Sequence, residues 1–216
     1  MNILKTAQYV TQDSHYQKIN GKSIGFIPSM GALHPGHISL AKQSIDQGLY
    51  TIFSIFINPK QFNDAKDLEL YPRTLEKDLE LLYNIGVDAV YCPDTNDVFG
   101  PNYMDEPIDL GNIESIIEGA QRHGHFIGVA RVVKRLFEIV QPDNAFFGQK
   151  DFQQTAIIHK LVQLYNFPIQ LHICPTVREQ NGLAMSSRNE RLTPHTRKQA
   201  GFIYQTLCTL KNDLKL

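Results

Sequence analysis

The 216-residue sequence predicts an α/β protein, a parallel sheet with helices on both faces, followed by a short carboxyl-terminal domain. Three observations predict it. Leu49 to Ile57 is a nearly continuous apolar, β-prone run, as in a strand covered on both faces at the centre of a parallel sheet. Such runs alternate along the chain with stretches of helical periodicity. The strand-to-helix junctions carry glycine, histidine, lysine and amide side chains, where open α/β sheets bind ligands.

In chain order, Thr6 to Ile19 reads as a first helix, ended by Gly21. Ile24 to Ile27 is a strand, stopped by Pro28, which has no ladder donor. Ser29, Met30 and Gly31 form a bend, and Pro35 takes the first position of a helix that Gly48 closes. His34 and His37, three apart, share one face of that helix start, and Gly36 between them leaves the backbone open to approach. A helix start attracts anions, so the pair suits a nucleotide phosphate. The competing reading is two histidines that only cap a helix.

The Leu49–Ile57 strand ends in Asn58-Pro59-Lys60-Gln61-Phe62. The Asn58 and Gln61 amides there suit a hydroxyl or a carboxylate, and Asn-Pro equally suits a plain turn. Asp64 to Leu70 reads as a polar loop or a short turn of helix, and Thr74 caps a helix running from Leu75 to Gly86, with Asp78 on its polar side. Asp88 to Cys92 is a buried strand, and Asp94 to Pro107 a loop that suits a flexible lid. Glu118 to His125 leads into a helix whose stripe Phe126, Val129, Val133, Leu136, Phe137 and Val140 is core. Arg122 and His125 stand before it, either facing the cleft or as solvated loop charges. Asp143 to Phe147 is a strand ending in Gly148-Gln149-Lys150-Asp151, where glycine permits close approach and Lys150 places a cation against phosphate. Gln153 and Gln154 open the next helix, and Pro168 to Cys174 is a further strand. Beyond Pro175 come a turn, the donor-rich loop Met185-Ser186-Ser187-Arg188-Asn189, and a last helix with Thr193 as cap and Pro194 at its first position.

Composition narrows the function. The formal net charge of −1 gives no basic stripe for nucleic acid and no acidic tail. The three cysteines, Cys92, Cys174 and Cys208, have no metal spacing and read as reduced thiols of a cytoplasmic protein. No segment is long enough to span a membrane, and the first residues lack the apolar run of a signal peptide.

His34-Pro35-Gly36-His37 resembles the HIGH motif of the nucleotidyltransferase superfamily, and Met185-Ser186-Ser187-Arg188 resembles its KMSKS loop. Pro28 to His37, Phe56 to Phe62, Tyr71-Pro72-Arg73, Phe147 to Asp151 and Met185 to Asn189 together resemble, in order, the pantothenate synthetase (pantoate–β-alanine ligase) family. The resemblance implies a Rossmann-like domain over residues 1–175 and the start of a lid domain over 176–216. Family members usually carry a longer carboxyl-terminal domain that covers the site, and from about Thr176 this sequence holds only its beginning.

The implied reaction joins pantoate to β-alanine through pantoyl adenylate, releasing pyrophosphate and then AMP. By resemblance His34 and His37 contact phosphates, His37 being the better candidate for proton donor. Met30, Gly31, Gly36, Gly148, Lys150, Asp151, Val177, Met185, Ser186, Ser187 and Arg188 hold ATP. Lys150 and Arg188 join the histidines in the catalytic set. Gln61 and Gln154 hold pantoate, with Asn58, Arg122 and His125 completing the pantoate and β-alanine sites. Magnesium accompanies ATP, with Asp78 as a candidate ligand or neighbour of one. A homodimer is implied, with small molecules as the other partners. Two alternatives stand beside this reading: another HIGH-motif nucleotidyltransferase with no amine site, and a non-catalytic nucleotide-binding module.

Overall fold

The structure, a computed structural model, describes residues 1–62, 64–100, 103–104 and 106–214. Six strands form one parallel sheet: β1 (Asn2–Leu4), β2 (Ile24–Ser29), β3 (Tyr50–Ile55), β4 (Ala89–Tyr91), β5 (Asn144–Gly148) and β6 (Gln170–Cys174). Their order is β1-β4-β3-β2-β5-β6. The chain therefore builds outward from β2 through β3 to β4, then returns to lay β5 and β6 on the other side of β2. The boundary between β2 and β5 is the switch point, where open parallel sheets place their ligands.

Helices flank both faces because successive strand residues point to opposite sides. Phe26, Ile52, Tyr91 and Phe147 pack on one face, in one core with Val10 of α1 (Ala7–Ile19), with α6 (His125–Val140) and with α7 (Phe152–Leu164). Their neighbours Ile27, Phe53, Val90 and Phe146 pack on the other, against α2 (Pro35–Asp46) and Leu82 of α4 (Leu75–Asn84). The α6 stripe from Phe126 to Val140 is buried as its spacing predicts. Each of these side chains contributes about 1.5–3 kcal/mol by leaving water. No helix among the described residues is long and apolar enough to cross a membrane.

The elements differ from the sequence reading in four places. β1 has only three residues, too few to show a pattern, and pairs with β4 through Ile3 and Val90. β2 runs through Pro28 to Ser29, which pair with Ser54 and Ile55 of β3. Proline is tolerated because β2 meets β5 only at Gly25 and Phe26, so the missing donor falls where that ladder has ended. The short helix α5 (Thr95–Val98), capped by Asp94, forms within the stretch read as loop, whereas α3 (Ala65–Glu69), capped by Asp64, is the short turn of helix allowed by the sequence there. Residues 101, 102 and 105 of the expected lid loop lie outside the described residues. The last helix is two, α8 (Pro194–Gln199) and α9 (Phe202–Asp213). Asn181 Nδ2 donates to the carbonyls of Arg197 and Lys198, at 2.8 and 3.2 Å, and so occupies acceptors that a continuous helix would use.

Candidate active site

A cleft of about 250 Å³ opens at the carboxyl ends of β2 and β5. Its walls come from the turn after β2, the start of α2, the turn after β3, the start of α6, the turn after β5, and the loop at 175–188.

The two histidines do both things that their spacing allows. His34 is the N-cap of α2, and its Nδ1 accepts the Gly36 N–H at 3.1 Å. His37 Nδ1 accepts the His34 N–H at 3.3 Å, completing a reciprocal cap. The rings lie 4.0 Å apart. A backbone N–H can only donate, so each Nδ1 is an unprotonated acceptor and each neutral ring carries its hydrogen on Nε2. Burial lowers the His34 pKa, and the Lys150 charge lowers it further. Burial, then His34, then Lys150 push His37 down to about 3. At neutral pH the pair therefore presents two N–H donors and no imidazolium. His37 is a hydrogen-bond donor through Nε2 in this state.

Gly36 shows why no side chain is tolerated between them. A Cβ there would stand 2.8 Å from His34 Cε1 and 2.9 Å from its Nδ1. The bare position lets the His34 ring fold back over the helix start.

Gln61 reaches the cleft from a 3₁₀ turn, Pro59–Gln61, seated on the first turns of α6. That seat requires Gly128, whose Cβ would lie 2.6 Å from the Lys60 carbonyl oxygen and 3.0 Å from Gln61 Cα. His125 Nδ1 lies 2.7 Å from the Gln61 carbonyl oxygen, which can only accept. His125 is therefore the opposite tautomer from His34 and His37, with its lone pair on Nε2. Burial lowers its pKa, so it too is neutral. Arg122 lines the same wall and pairs with Glu118 at 2.7 Å.

From β5 come Gly148, Lys150, Asp151 and, one turn into α7, Gln154. Lys150 Nζ and Asp151 Oδ1 are 2.5 Å apart. A Cβ on Gly148 would meet nothing within 4 Å, so this wall is open to a ligand. Val177, Met185, Ser186, Ser187 and Arg188 close the far side. Met185 N–H bonds the Val177 carbonyl at 3.0 Å, and Ser187 Oγ donates to the Ala32 carbonyl at 3.0 Å. Met30, Gly36, His34 and His37 also line the cleft.

Three residues expected at the site stand elsewhere. Asn58 is fully buried behind the cleft wall: its Oδ1 accepts the Lys60 N–H at 3.1 Å and its Nδ2 donates to the Gly128 carbonyl at 3.4 Å. It braces the Gln61 turn, as the plain-turn reading had it. Gly31 lies on the back of its turn, where a Cβ would meet Asp78 Oδ2 at 3.1 Å, and its N–H faces Ser29 Oγ at 3.2 Å. Asp78 is buried and shares with Gly31 a second cavity on the far side of that turn. Its oxygens accept the N–H groups of Ala32 and Leu33, at 2.8 and 2.9 Å, and both lie 3.2 Å from the Thr74 hydroxyl. The carboxylate so holds Ala32 at φ +50°, a left-handed conformation that a side chain disfavours. Asp78 is an anchor for the turn before His34, and its acceptors are already taken. Thr74, placed before α4 as expected, spends its hydroxyl on Asp78 instead of capping the helix.

Sequence reasoning missed Tyr71, Phe62 and Gly128. Phe62 and Tyr71 line the cleft as an edge-to-face pair with centroids 5.6 Å apart. The carboxylates lining the cleft among the described residues are Glu118 and Asp151, each already paired with a cation.

The family model described as pantoate-beta-alanine ligase matches residues 2–215. A pantothenate synthetase of Christiangramia forsetii is 47% identical over 208 residues, 96% of this chain and 74% of that protein. The crystal structure of pantothenate synthetase from Thermus thermophilus superposes with a TM-score of 0.91 at 37% identity, covering 98% of this chain and 75% of that one. The pantoate-beta-alanine ligase of Francisella tularensis, solved with beta-gamma ATP and beta-alanine, gives a TM-score of 0.89 at 36% identity, over 95% of this chain and 78% of that one. With a parallel sheet, a capped histidine pair at its switch point and matches over nearly its whole length, the chain belongs to the pantoate-beta-alanine ligase family.

Proposed function

We propose that this cleft joins pantoate to β-alanine at the expense of ATP, through pantoyl adenylate. The observation that carries the reading is the tautomer arrangement. Two neutral Nε2–H donors stand close enough to Lys150 to feel its charge, and a third histidine offers a lone pair on the Gln61 wall.

In the first step a pantoate carboxylate oxygen attacks the α-phosphorus and the bond to pyrophosphate breaks. The nucleophile is already ionised, so no proton moves. What the reaction needs is charge stabilisation and alignment. His34, His37 and Lys150 supply donors and a cation to the phosphates. Ser186, Ser187 and Arg188 receive the departing pyrophosphate. Met30, Gly36, Gly148, Asp151, Val177 and Met185 shape the nucleotide pocket. Gln61 and Gln154 orient pantoate.

In the second step the β-alanine amine attacks the acyl carbon and AMP leaves. The amine must lose a proton as the amide forms. His125 Nε2 is the acceptor suited to it, and Arg122 suits the β-alanine carboxylate.

A magnesium ion fits here as a companion of ATP more than as a resident of the protein. Magnesium takes one or two carboxylates and completes its shell with phosphates and water. Asp151 is the carboxylate on the phosphate side that suits it. When bound, the ion neutralises phosphate charge.

The same reading divides the chain into residues 1–175, which bind nucleotide and pantoate, and residues 176–216, the start of a lid. It takes the protein to be a cytoplasmic homodimer, which sedimentation at micromolar concentration tests. The activity test is exchange of labelled pyrophosphate into ATP, followed by AMP formation on the same sample. Exchange that requires pantoate, and AMP release that requires β-alanine, is the expected result. ATP binding without exchange, or exchange without pantoate, overturns it.

A further inference from the structure

Arg188 reaches the cleft with its back to another residue. Asp67, on α3, receives Arg188 Nη2 at 2.7 Å and Nε at 3.3 Å, a two-pronged contact that fixes the guanidinium plane. Arg191 Nη1 meets the same carboxylate at 2.9 Å, and its Nη2 reaches the Asp67 carbonyl at 3.4 Å. The Arg188 guanidinium also lies 5.6 Å from the centroid of Tyr71, the aromatic wall of the cleft. Arg188 and Tyr71 line the cleft and Asp67 does not. The carboxylate therefore stands behind the arginine and does not occupy the place of a phosphate. One aspartate against two arginines leaves the cluster a net positive charge toward the cleft.

We propose that Asp67 is a positioning residue that latches the Ser186–Arg191 loop to the segment carrying Gln61, Phe62 and Tyr71, so that the nucleotide-gripping loop and the acid-binding wall act as one unit. The inference rests on the function proposed above and deepens it. The two segments are 121 residues apart in sequence, and this carboxylate ties them at the mouth of the cleft. It also sets which N–H groups Arg188 has left: Nε and Nη2 are committed, and Nη1 is not bonded to Asp67. A loop held this way meets ATP with its cation already aimed, and less of the binding energy goes into ordering it.

The test uses the full chain and two readouts. Asp67→Asn keeps the shape and removes the charge. It is expected to raise the KM for ATP in pantoate-dependent pyrophosphate exchange by roughly three- to tenfold, with a smaller change in kcat. Asp67→Glu is expected to recover much of that loss. Trypsin, with no substrate present, is expected to cut after Arg188 and Arg191 faster in Asp67→Asn by a similar factor, because the loop opens more often. Arg191→Gln, which removes the cut after residue 191 itself, should raise the KM for ATP and speed the cut after Arg188 in the same direction, and on these two measures the double variant should be no worse than Asp67→Asn alone. Unchanged ATP KM together with unchanged cleavage rate overturns the proposal, as do fully additive effects of the two substitutions. If Asp67→Asn does not fold, Arg191→Gln alone decides, since Arg191 does not line the cleft. Failure of the wild type to exchange pyrophosphate counts against the proposed function, and the cleavage rates still decide the latch.

Discussion

His37 Nδ1 accepts the backbone N–H of His34 at 3.3 Å, so the second histidine of the motif fixes the first while fixing its own tautomer. The two ring nitrogens of His37 can be separated by substitution. Asparagine matches the Nδ1 acceptor and glutamine matches the Nε2 donor. His37→Asn is expected to keep the melting temperature near wild type and to lower pyrophosphate exchange by about 10²–10³. His37→Gln is expected to lose about 1 kcal/mol of stability with the cap and to retain more exchange. Equal activity in the two variants would show that Nε2 is not used.

The depressed His37 pKa also predicts how stability follows pH. The unfolded chain takes up a proton near pH 6.5, and the folded ring resists it until about pH 3. Below pH 6.5 the unfolded state therefore binds more protons, and stability falls as pH falls. His37 alone contributes a slope of about 1.4 kcal/mol per pH unit across that window. Urea unfolding of wild type and His37→Asn between pH 7 and 4.5 checks this: the variant should show the shallower decline.

Gly36→Ala separates helix stability from ring placement. Alanine favours a helix by about 1 kcal/mol over glycine, but its Cβ would press on His34 at 2.8 Å. The expected outcome is a melting temperature close to wild type with exchange reduced at least about tenfold. Wild-type exchange would mean that the His34 ring can move aside without loss.

Gly128→Ala acts on Gln61 at a distance. The added methyl meets the Lys60 carbonyl at 2.6 Å and lifts the turn. The KM for pantoate is expected to rise about tenfold while that for ATP changes little. A rise in both by the same factor would place the effect outside the pantoate side.

Asp78→Ala leaves the N–H groups of Ala32 and Leu33 without their acceptor. A loss of about 3–5 kcal/mol is expected from the urea midpoint, with the left-handed Ala32 turn losing its anchor. Asp78→Asn is the milder probe of the metal question. Its magnesium half-saturation should match wild type, and a large shift would return Asp78 to the metal.

What could be read in the sequence was what lies close in sequence. The histidine pair and the Gly148–Asp151 junction each place their chemistry within four residues, so spacing alone gives the shared face. The central strands and the α6 stripe were legible because burial on fixed faces dictates composition. Asp78 was misjudged because a sequence shows a carboxylate and hides what its oxygens face. Asn58 left two readings open, and only burial chose between them. Asp67 carried no signal, since its partners stand 121 and 124 residues away. The break between α8 and α9 was hidden for a similar reason: Asn181, which ends α8, lies 16 residues before the carbonyl it captures.

Two rungs join β2 to β5, at Gly25–Asn144 and Phe26–Ala145, against six between β2 and β3 and five between β5 and β6. The ladder between β2 and β5 thus ends early, and the two strands run on unpaired with each other toward the turns that carry the histidines and Lys150. The hollow proposed for the nucleotide opens where that ladder ends, and the turns after β2 and β5 wall it. The space between the turns is therefore set by where the β2–β5 pairing stops, and its lining by the side chains the turns carry.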